Sequence, residues 1–403
     1  MQPVQSRKFS KFPLLLFAFG LIVSLAGCTQ RPPPKADVVV AEPPARASLK
    51  GIYCQDLKTQ NCHCQKQATH TYCRTKKAPA TPPINESWGA ISNYSPEVFC
   101  AYDLPVEVCE GVTSALLAAT KQWGNYGPLE YWVLGSNPEA GKALTEINCN
   151  RRITRGQRHD INRCYRKHGG SGSHGFEDYR RIGAESVDSG RPSGSAGLNG
   201  NRHWGIHYFT SSIPVGFLEM FKMSVAHEQQ PVFHEYFHAV QHAHIYTKNS
   251  NKRNELLGPV WFNEGGAEYM GLVTLIKSFK DGSLNEIKEN NRHPFVFREK
   301  MEHKKRGGLK KLASSKCSGL KMQDLTYRKS CDGAYYDLGT WAHAYLAHKH
   351  GSEVLLETFY PNLEELGWEG AFVKTYGMTS EEFYAEFEQF LELPNSQQMA
   401  ILP

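Results

Sequence analysis

The chain has 403 residues, of which 40% are apolar and 11% are aromatic, so it carries too many core-forming side chains to be wholly disordered. Its formal net charge of +6 comes from basic residues spread along the sequence rather than massed, and we expect no nucleic-acid partner. This length leaves room for one large domain or two modest ones.

The N-terminal segment has the features of an export signal in the usual order. Basic residues at positions 7–11 precede an apolar run over 12–25, which is too short for a comfortable transmembrane helix. The run ends in Leu25-Ala26-Gly27-Cys28, which resembles the lipobox of bacterial lipoproteins. The resemblance implies that residues 1–27 are a signal peptide and that Cys28 carries the lipid. The alternative is a plain secretory peptide, or a membrane anchor with an incidental cysteine.

Ten cysteines follow Cys28. An even number in an exported chain predicts up to five disulfides and an oxidising compartment. The sequence neighbours Cys149–Cys164 and Cys317–Cys331 are candidate pairs, although the sequence does not fix the connectivity. A zinc knuckle built from residues 62–64 and Cys73 is the alternative for the most N-terminal cysteines. We expect the protein to lie at the cell envelope, anchored to a bacterial membrane through Cys28, with the outer membrane or cell surface favoured.

Composition divides the mature chain into three parts. Residues 28–50 are rich in proline and alanine and read as a tether. Residues 51–93 are polar and dense in cysteine, which predicts a small disulfide-stapled arm. From residue 94 to 403 the pattern is that of a folded domain.

The first half of this domain contains both helical and strand patterns. Apolar spacing predicts a helix over 107–123, a buried strand over 129–134 and a second helix over 140–147. Residues 168–202 contain many Gly and Ser residues and few apolar ones, which predicts a long mobile loop. A strand is predicted over 204–211, and helical character begins at about Phe217.

The strongest chemical signal is HEYFH at residues 234–238. On a helix, residues four apart lie on one face, so His234 and His238 can both reach one ion. Neutral imidazoles suit zinc, and the intervening Glu235 then lies beside the metal's water and can accept its proton. The apolar residues around the motif favour a helix packed in a core. The alternative is a core helix with two satisfied histidines.

A catalytic zinc site needs a third protein ligand, and two residues compete for that place. His244 has the spacing of the metzincin pattern, but that pattern needs a glycine where this chain has Gln241, a good helix former. A continuing helix would point His244 away, and His242 would lie one turn too far along. Glu264, on a second helix, can complete a His2Glu site.

Glu264 lies in the segment WFNEGGAEY, residues 261–269. Glu268 is one turn further along the same face and is placed to hydrogen-bond a ligand imidazole. The aromatic residues around both acids predict a buried helix, in which unpaired carboxylates would be costly.

The motif pair HEYFH and WFNEGGAEY resembles the gluzincin zinc metallopeptidases. It is similar to the W-x-N-E-G motif of aminopeptidase-type families and to the HEYxH…EEGxAE pair of bacterial collagenases. The resemblance covers roughly residues 204–390. It implies one zinc ion held by His234, His238 and Glu264, with Glu235 as the catalytic base and Glu268 supporting a ligand.

A tyrosine in the C-terminal part matches a further gluzincin feature. In aminopeptidase-like gluzincins a Y-x-x-G segment carries a tyrosine that stabilises the oxyanion, and Tyr336 stands at that position. A packing tyrosine is the alternative, and His343 is a second candidate donor. Residues 279–330 form a basic, polar interruption between helices, and residues 372–391 predict a closing helix.

These patterns predict an α+β fold: a gluzincin-like domain with a small sheet, an HExxH helix and a mainly helical C-terminal part. The predicted function is zinc-dependent hydrolysis of peptide bonds, with protein or peptide as the substrate. A zinc-stabilised envelope-binding module without activity is the alternative, although binding alone would not need Glu235. Hydrolysis of an amide in something other than protein is a third possibility, because fold and site do not fix the substrate.

Overall fold

The structure is a computed structural model that describes residues 88–157, 160–170, 174–198, 205–285 and 293–403, together with the backbone of 62–66 and 71–75. The predicted signal peptide, the lipidation site Cys28 and the tether lie outside these residues. In the predicted cysteine-rich arm, strands β1 (Cys62–Lys66) and β2 (Thr71–Thr75) form an antiparallel pair. The side chains that would separate a disulfide from a zinc knuckle there lie outside the described part.

A mixed sheet of four strands supports one side of the main domain. Its strands are β3 (Glu97–Cys100), β4 (Leu129–Val133), β5 (Ala196–Leu198) and β6 (His207–Ser211). Their order in space is β3-β4-β6-β5, with β5 antiparallel to β6 and the other neighbours parallel. Every residue of β4 and β6 is buried, as expected for strands covered on both faces.

Helices make up most of the described chain. They are α1 (Val106–Trp123), α2 (Pro138–Thr154), α3 (Ile161–Gly169), α4 (Phe176–Ser189), α5 (Ala226–Ala243), α6 (Ser250–Leu257), α7 (Val260–Lys280), α8 (Phe297–Leu312), α9 (Ala334–His350), α10 (Tyr360–Tyr376), α11 (Ser380–Glu392) and α12 (Asn395–Ala400). The largest helix contacts join α5 to α7, α7 to α9 and α9 to α8, while α1 packs on α5 next to the sheet. The α+β class predicted from the sequence is confirmed.

Three sequence predictions about elements were wrong. The loop predicted over 168–202 contains α4 and β5, because Phe176, Tyr179 and Gly183 recur at helical spacing and are buried. The polar interruption over 279–330 contains α8, which buries Met301 and little else that is apolar. The helix expected from Phe217 begins at Ala226, after two short 3₁₀ turns.

Other element predictions are confirmed, some with shifted ends. The first helix and the first strand match to within a residue, whereas the helix predicted over 140–147 extends over the whole of α2. The predicted closing helix is interrupted after Tyr376, and Thr379 caps α11 by accepting from the backbone N–H of Glu382.

Three disulfides hold the described chain. Cys149–Cys164 and Cys317–Cys331 confirm the two pairs proposed from the sequence, and Cys100–Cys109 adds a pair that the spacing did not single out. They are compatible with an oxidising compartment. Within the described residues, we find no helix that combines the length and the apolar character needed to cross a membrane.

Candidate metal centre

Helix α5 places two histidines on the face that looks towards α7. Its apolar residues Val232, Phe233, Phe237 and Val240 are all buried, so the helix is fixed in the core. His234 and His238 are 7% and 8% exposed, which leaves one edge of each ring accessible. The helical spacing predicted from HEYFH is therefore realised in a rigid element.

Helix α7 brings Glu264 to the same place because two glycines allow close packing. A Cβ atom on Gly265 would lie 2.2 Å from the backbone carbonyl carbon of Gly339 in α9. One on Gly271 would lie 3.1 Å from the backbone nitrogen of His234 in α5. The glycines thus let α7 approach both neighbouring helices at a distance that larger residues would prevent.

The three predicted ligands converge on one point. The Nε2 atoms of His234 and His238 are 3.2 Å apart, and Glu264 Oε2 lies 3.5 Å from the first and 3.3 Å from the second. Ligand atoms about 2.0–2.1 Å from a tetrahedral zinc ion are separated from one another by about 3.3 Å. Among the described residues, these two histidines and one glutamate form a group that could hold a metal ion.

Hydrogen bonds fix the orientation of both imidazoles. His234 Nδ1 lies 2.9 Å from Glu268 Oε2, and His238 Nδ1 lies 2.6 Å from Gln241 Oε1. A carboxylate oxygen and an amide oxygen only accept, so each Nδ1 carries the hydrogen and each Nε2 presents its lone pair to the centre. Gln241 stands where the metzincin glycine would be, and its role here is to orient His238.

The charges of the group favour a cation at its centre. Burial by itself would lower the pKa of His234, but hydrogen bonds to Glu264 and Glu268 raise it to about 10. Burial opposes the charge on His238 too, and the Glu264 carboxylate raises its pKa. Burial would raise the pKa of Glu264, but His238 and His234 hold it well below its ordinary value. The carboxylates thus favour positive charge at this centre, either a proton on an imidazole or a metal ion that replaces it.

Behind the ligands, Glu268 is held by a buried ion-pair chain. Its Oε2 also accepts from Gln230 Nε2 at 2.9 Å, and Lys304 Nζ lies 2.6 Å from its Oε1. Lys304 in turn lies 3.5 Å from Asp337, which pairs with Lys311. Burial raises the pKa of Glu268, but Lys304 and His234 outweigh it and keep the carboxyl ionised. Sequence reasoning found Glu268 but missed Lys304, because α8 was taken for an irregular stretch.

Tyr327 was also missed. Its hydroxyl donates to Glu264 Oε1, the oxygen that faces away from the histidines. Tyr327 lies between Cys317 and Cys331, whose disulfide closes this segment. The proposed cysteine pair was one sign in the sequence that this segment is held in place, but no pattern pointed to the tyrosine.

Glu235 lines a cleft of about 380 Å³ together with His234, Glu268 and Tyr336. Burial raises the pKa of Glu235; the neighbouring imidazoles and a backbone hydrogen bond from Leu198 in β5 act in the opposite direction. The Tyr336 ring lies 6.0 Å from the His234 ring, centre to centre. Both predicted catalytic side chains therefore border one cleft beside the metal group.

The competing histidines lie elsewhere. His244 ends α5 and packs against the rings of Tyr126 and Tyr360. His242 is likewise outside the group that converges with Glu264. His343 is 1% exposed, and its Nε2 donates to the backbone carbonyl of Phe262 at 2.9 Å. His343 thus joins α9 to α7 and does not line the cleft.

Comparisons with known proteins give no match for this chain among protein-family models, curated proteins or solved structures. The resemblance to gluzincins consequently stays a prediction that depends on the two motifs.

Proposed function

We propose that the protein is a zinc-dependent hydrolase of peptide bonds, with Glu235 as its general base. The observation that carries the proposal is the His234, His238 and Glu264 group, whose member His234 lines the same cleft as Glu235. A structural metal site is enclosed by its ligands, whereas a catalytic site keeps a free position for the reactants.

The donor set supports zinc. Two imidazoles and one carboxylate are typical of catalytic zinc, whereas magnesium and calcium prefer oxygen ligands alone. The separations of 3.2–3.5 Å between ligand atoms fit the edges of a small tetrahedron. A bound zinc ion supplies Lewis acidity, which lowers the pKa of water and polarises a carbonyl group.

Side chains of the protein carry out the remaining steps. Glu235 accepts the proton of the attacking water and returns it to the departing amine. Its raised pKa suits both halves of this transfer, because an ordinary carboxylate would hold the proton too weakly. Tyr336 faces the same cleft and donates a hydrogen bond to the carbonyl oxygen as negative charge develops there.

An extended peptide fits the wall of this cleft. Ala196 in β5 lines it, and β5 stands at the end of the four-strand order, next to β6. A strand at the end of a sheet is a common docking place for an extended peptide. This feature favours a peptide over other amides. We place the activity at the cell envelope, since the predicted lipid anchor and the three disulfides agree with an exported protein.

The test compares wild type with Glu235→Gln on a broad peptide library, each with and without a chelator. We expect hydrolysis by the zinc-loaded wild type, loss of it with the chelator, and a fall of roughly 10²–10⁴-fold in Glu235→Gln with zinc content unchanged. Tyr336→Phe in the same assay separates a donor from a packing residue, because it lowers kcat only if the hydroxyl acts. Undiminished hydrolysis by Glu235→Gln would remove Glu235 as the base, and peptide binding without hydrolysis would favour a binding module.

A further inference from the structure

A third carboxylate, besides those of Glu235 and Glu268, lines the same cleft and has no part in the chemistry described above. Glu228 precedes Glu235 by seven residues on α5, which is about two turns and roughly 10 Å along the helix axis on the same face. The hydroxyl of Tyr131 lies in the field of both carboxylates, and Tyr131 also lines the cleft. The cleft therefore has an acidic group at some distance from the metal group.

The surroundings of Glu228 hold the carboxylate but do not neutralise it. Its side chain lies against Gly216, and it accepts hydrogen bonds from the backbone N–H groups of Gly216 and Val215. A carboxylate has about four acceptor positions, so further donors can bind. Among the described residues, no Lys or Arg forms an ion pair with it.

The charge balance of the cleft points to a cationic ligand. Its described lining contains Glu228, Glu235 and Glu268 but no Lys or Arg, and Lys304 balances the charge of Glu268 from outside this lining. Lys300, whose charge acts on Glu228, also feels the charges of Glu268 and Asp337. Burial raises the pKa of Glu228 to about 8, against the backbone hydrogen bonds and Lys300. At neutral pH this carboxyl group is therefore largely protonated without a ligand, and a bound cation favours its ionised form.

We propose that Glu228 forms a subsite for a cationic group of the substrate, a lysine or arginine side chain within about two residues of the cleaved bond. The reach follows from an extended chain at about 3.3 Å per residue and a lysine side chain of about 6 Å, against the roughly 10 Å to Glu235. As a determinant of substrate specificity, this subsite rests on the proposed function. A free α-amino group offers the same ammonium chemistry and is the other source of the cation.

Binding measured without turnover tests the subsite. Zinc-loaded Glu235→Gln is titrated with labelled peptides of one sequence that carry lysine or norleucine at each of six central positions, with the N-terminus either acetylated or free. We expect lysine at one position to bind about tenfold more tightly than norleucine in the acetylated set. A preference only for the free N-terminus would assign the carboxylate to an α-amino group and overturn the side-chain subsite. Equal binding throughout would overturn the proposal as a whole.

Variants of Glu228 locate the preference. In the Glu235→Gln background, Glu228→Gln should bring the lysine-to-norleucine ratio to about one, and Glu228→Asp should keep part of it because the charge remains. Glu365→Gln, an exposed glutamate on α10, is the matched control and should leave the ratio unchanged. A lysine preference that survives Glu228→Gln would overturn the proposal. If Glu228→Gln does not fold, the lysine-to-norleucine ratios measured with Glu228 intact and with Glu228→Asp still test the subsite.

Hydrolysis by the wild type separates this proposal from the proposed function. The same peptides are assayed for kcat/KM with the zinc-loaded enzyme. Preferential lysine binding with no hydrolysis of any peptide would refute the peptidase and leave the cation subsite. Hydrolysis with equal kcat/KM for lysine and norleucine peptides would refute the subsite and leave the peptidase.

Discussion

The sheet half and the helical half of the molecule each bury charged groups, but they balance them differently. Under the sheet, Glu130 is fully buried and is bound by three arginines, with Arg151 Nη2 at 2.8 Å and Arg155 Nη1 at 2.5 Å from its Oε1 and Arg152 on its other oxygen. Burial would raise the pKa of Glu130, but the three guanidinium groups hold it far below its ordinary value. This cluster supplies its own counter-ions.

Among the described residues, no Lys or Arg forms an ion pair with the three members of the metal group. His234, His238 and Glu264 direct their free acceptor atoms at one another, and Glu268 is the member of the region that Lys304 neutralises. Both regions show strongly shifted pKa values, so shifted titration alone does not distinguish a functional site from a structural ion-pair cluster. The difference lies in the centre: the Glu130 carboxylate is paired with cations of the chain itself, whereas the metal group is proposed to be completed by an ion from outside.

The largest expected effect is the loss of metal when one ligand is removed. The zinc content of Glu264→Ala should be almost zero at micromolar metal, against one ion per chain in the wild type, because two imidazoles alone leave the ion half-coordinated. His244→Ala should keep full zinc content, since His244 packs on Tyr126 and Tyr360. Metal content after dialysis, determined by mass spectrometry, gives the answer. The reverse pattern, in which His244→Ala loses zinc and Glu264→Ala keeps it, would show that Glu264 is not the third ligand.

A smaller effect is expected when the ion-pair cluster around Glu130 is broken. Glu130→Gln leaves three buried arginines without their common partner and should lower the free energy of unfolding by about 3–5 kcal/mol, with zinc content unchanged. Glu185→Gln removes one side of an ion pair with Arg181 whose side chains are 63% and 55% exposed, and it should cost less than about 0.5 kcal/mol. Urea denaturation of both variants provides the comparison. Zinc loss in folded Glu130→Gln would contradict the separation of the two regions.

The third effect depends on pH and concerns a buried histidine at the start of β6 in the same sheet. His207 is 1% exposed, packs against Trp88 with the two rings tilted, and neither ring nitrogen has a hydrogen-bond partner in the described chain. Burial lowers its pKa from 6.5 to about 3. Below pH 6.5 the unfolded chain takes up a proton that the folded chain refuses, so stability falls as the pH drops from 6.5 towards 3.

At pH 4 this histidine should account for about 3 kcal/mol of lost stability relative to pH 7. His207→Phe keeps a ring against Trp88 and removes the titration, so its unfolding free energy should fall less than that of wild type over this range. Denaturation curves at pH 7 and pH 4 for both proteins measure the difference. Equal losses in the two proteins would show that His207 is already protonated or hydrated in the folded state.

The local part of the site could be predicted from the sequence alone. Two histidines four apart on a helix share one face whatever surrounds them, so HEYFH was sufficient to predict two ligands and a glutamate beside them. The segment from Trp261 to Tyr269 likewise predicted a buried helix with two acids one turn apart. The pairs Cys149–Cys164 and Cys317–Cys331 were also accessible from the sequence, because their partners are near neighbours along the chain.

The distant groups that support those ligands became visible in the folded structure. Lys304 reaches Glu268 from α8, and Tyr327 reaches Glu264 from a disulfide-closed segment. Glu228 became notable only as part of the wall of the cleft. None of these residues lies in a recognisable motif, since each contributes through long-range contacts whose partners depend on how the chain folds. Residues that belong to a local motif, such as Glu264, could therefore be predicted, whereas the residues that support them from elsewhere could not.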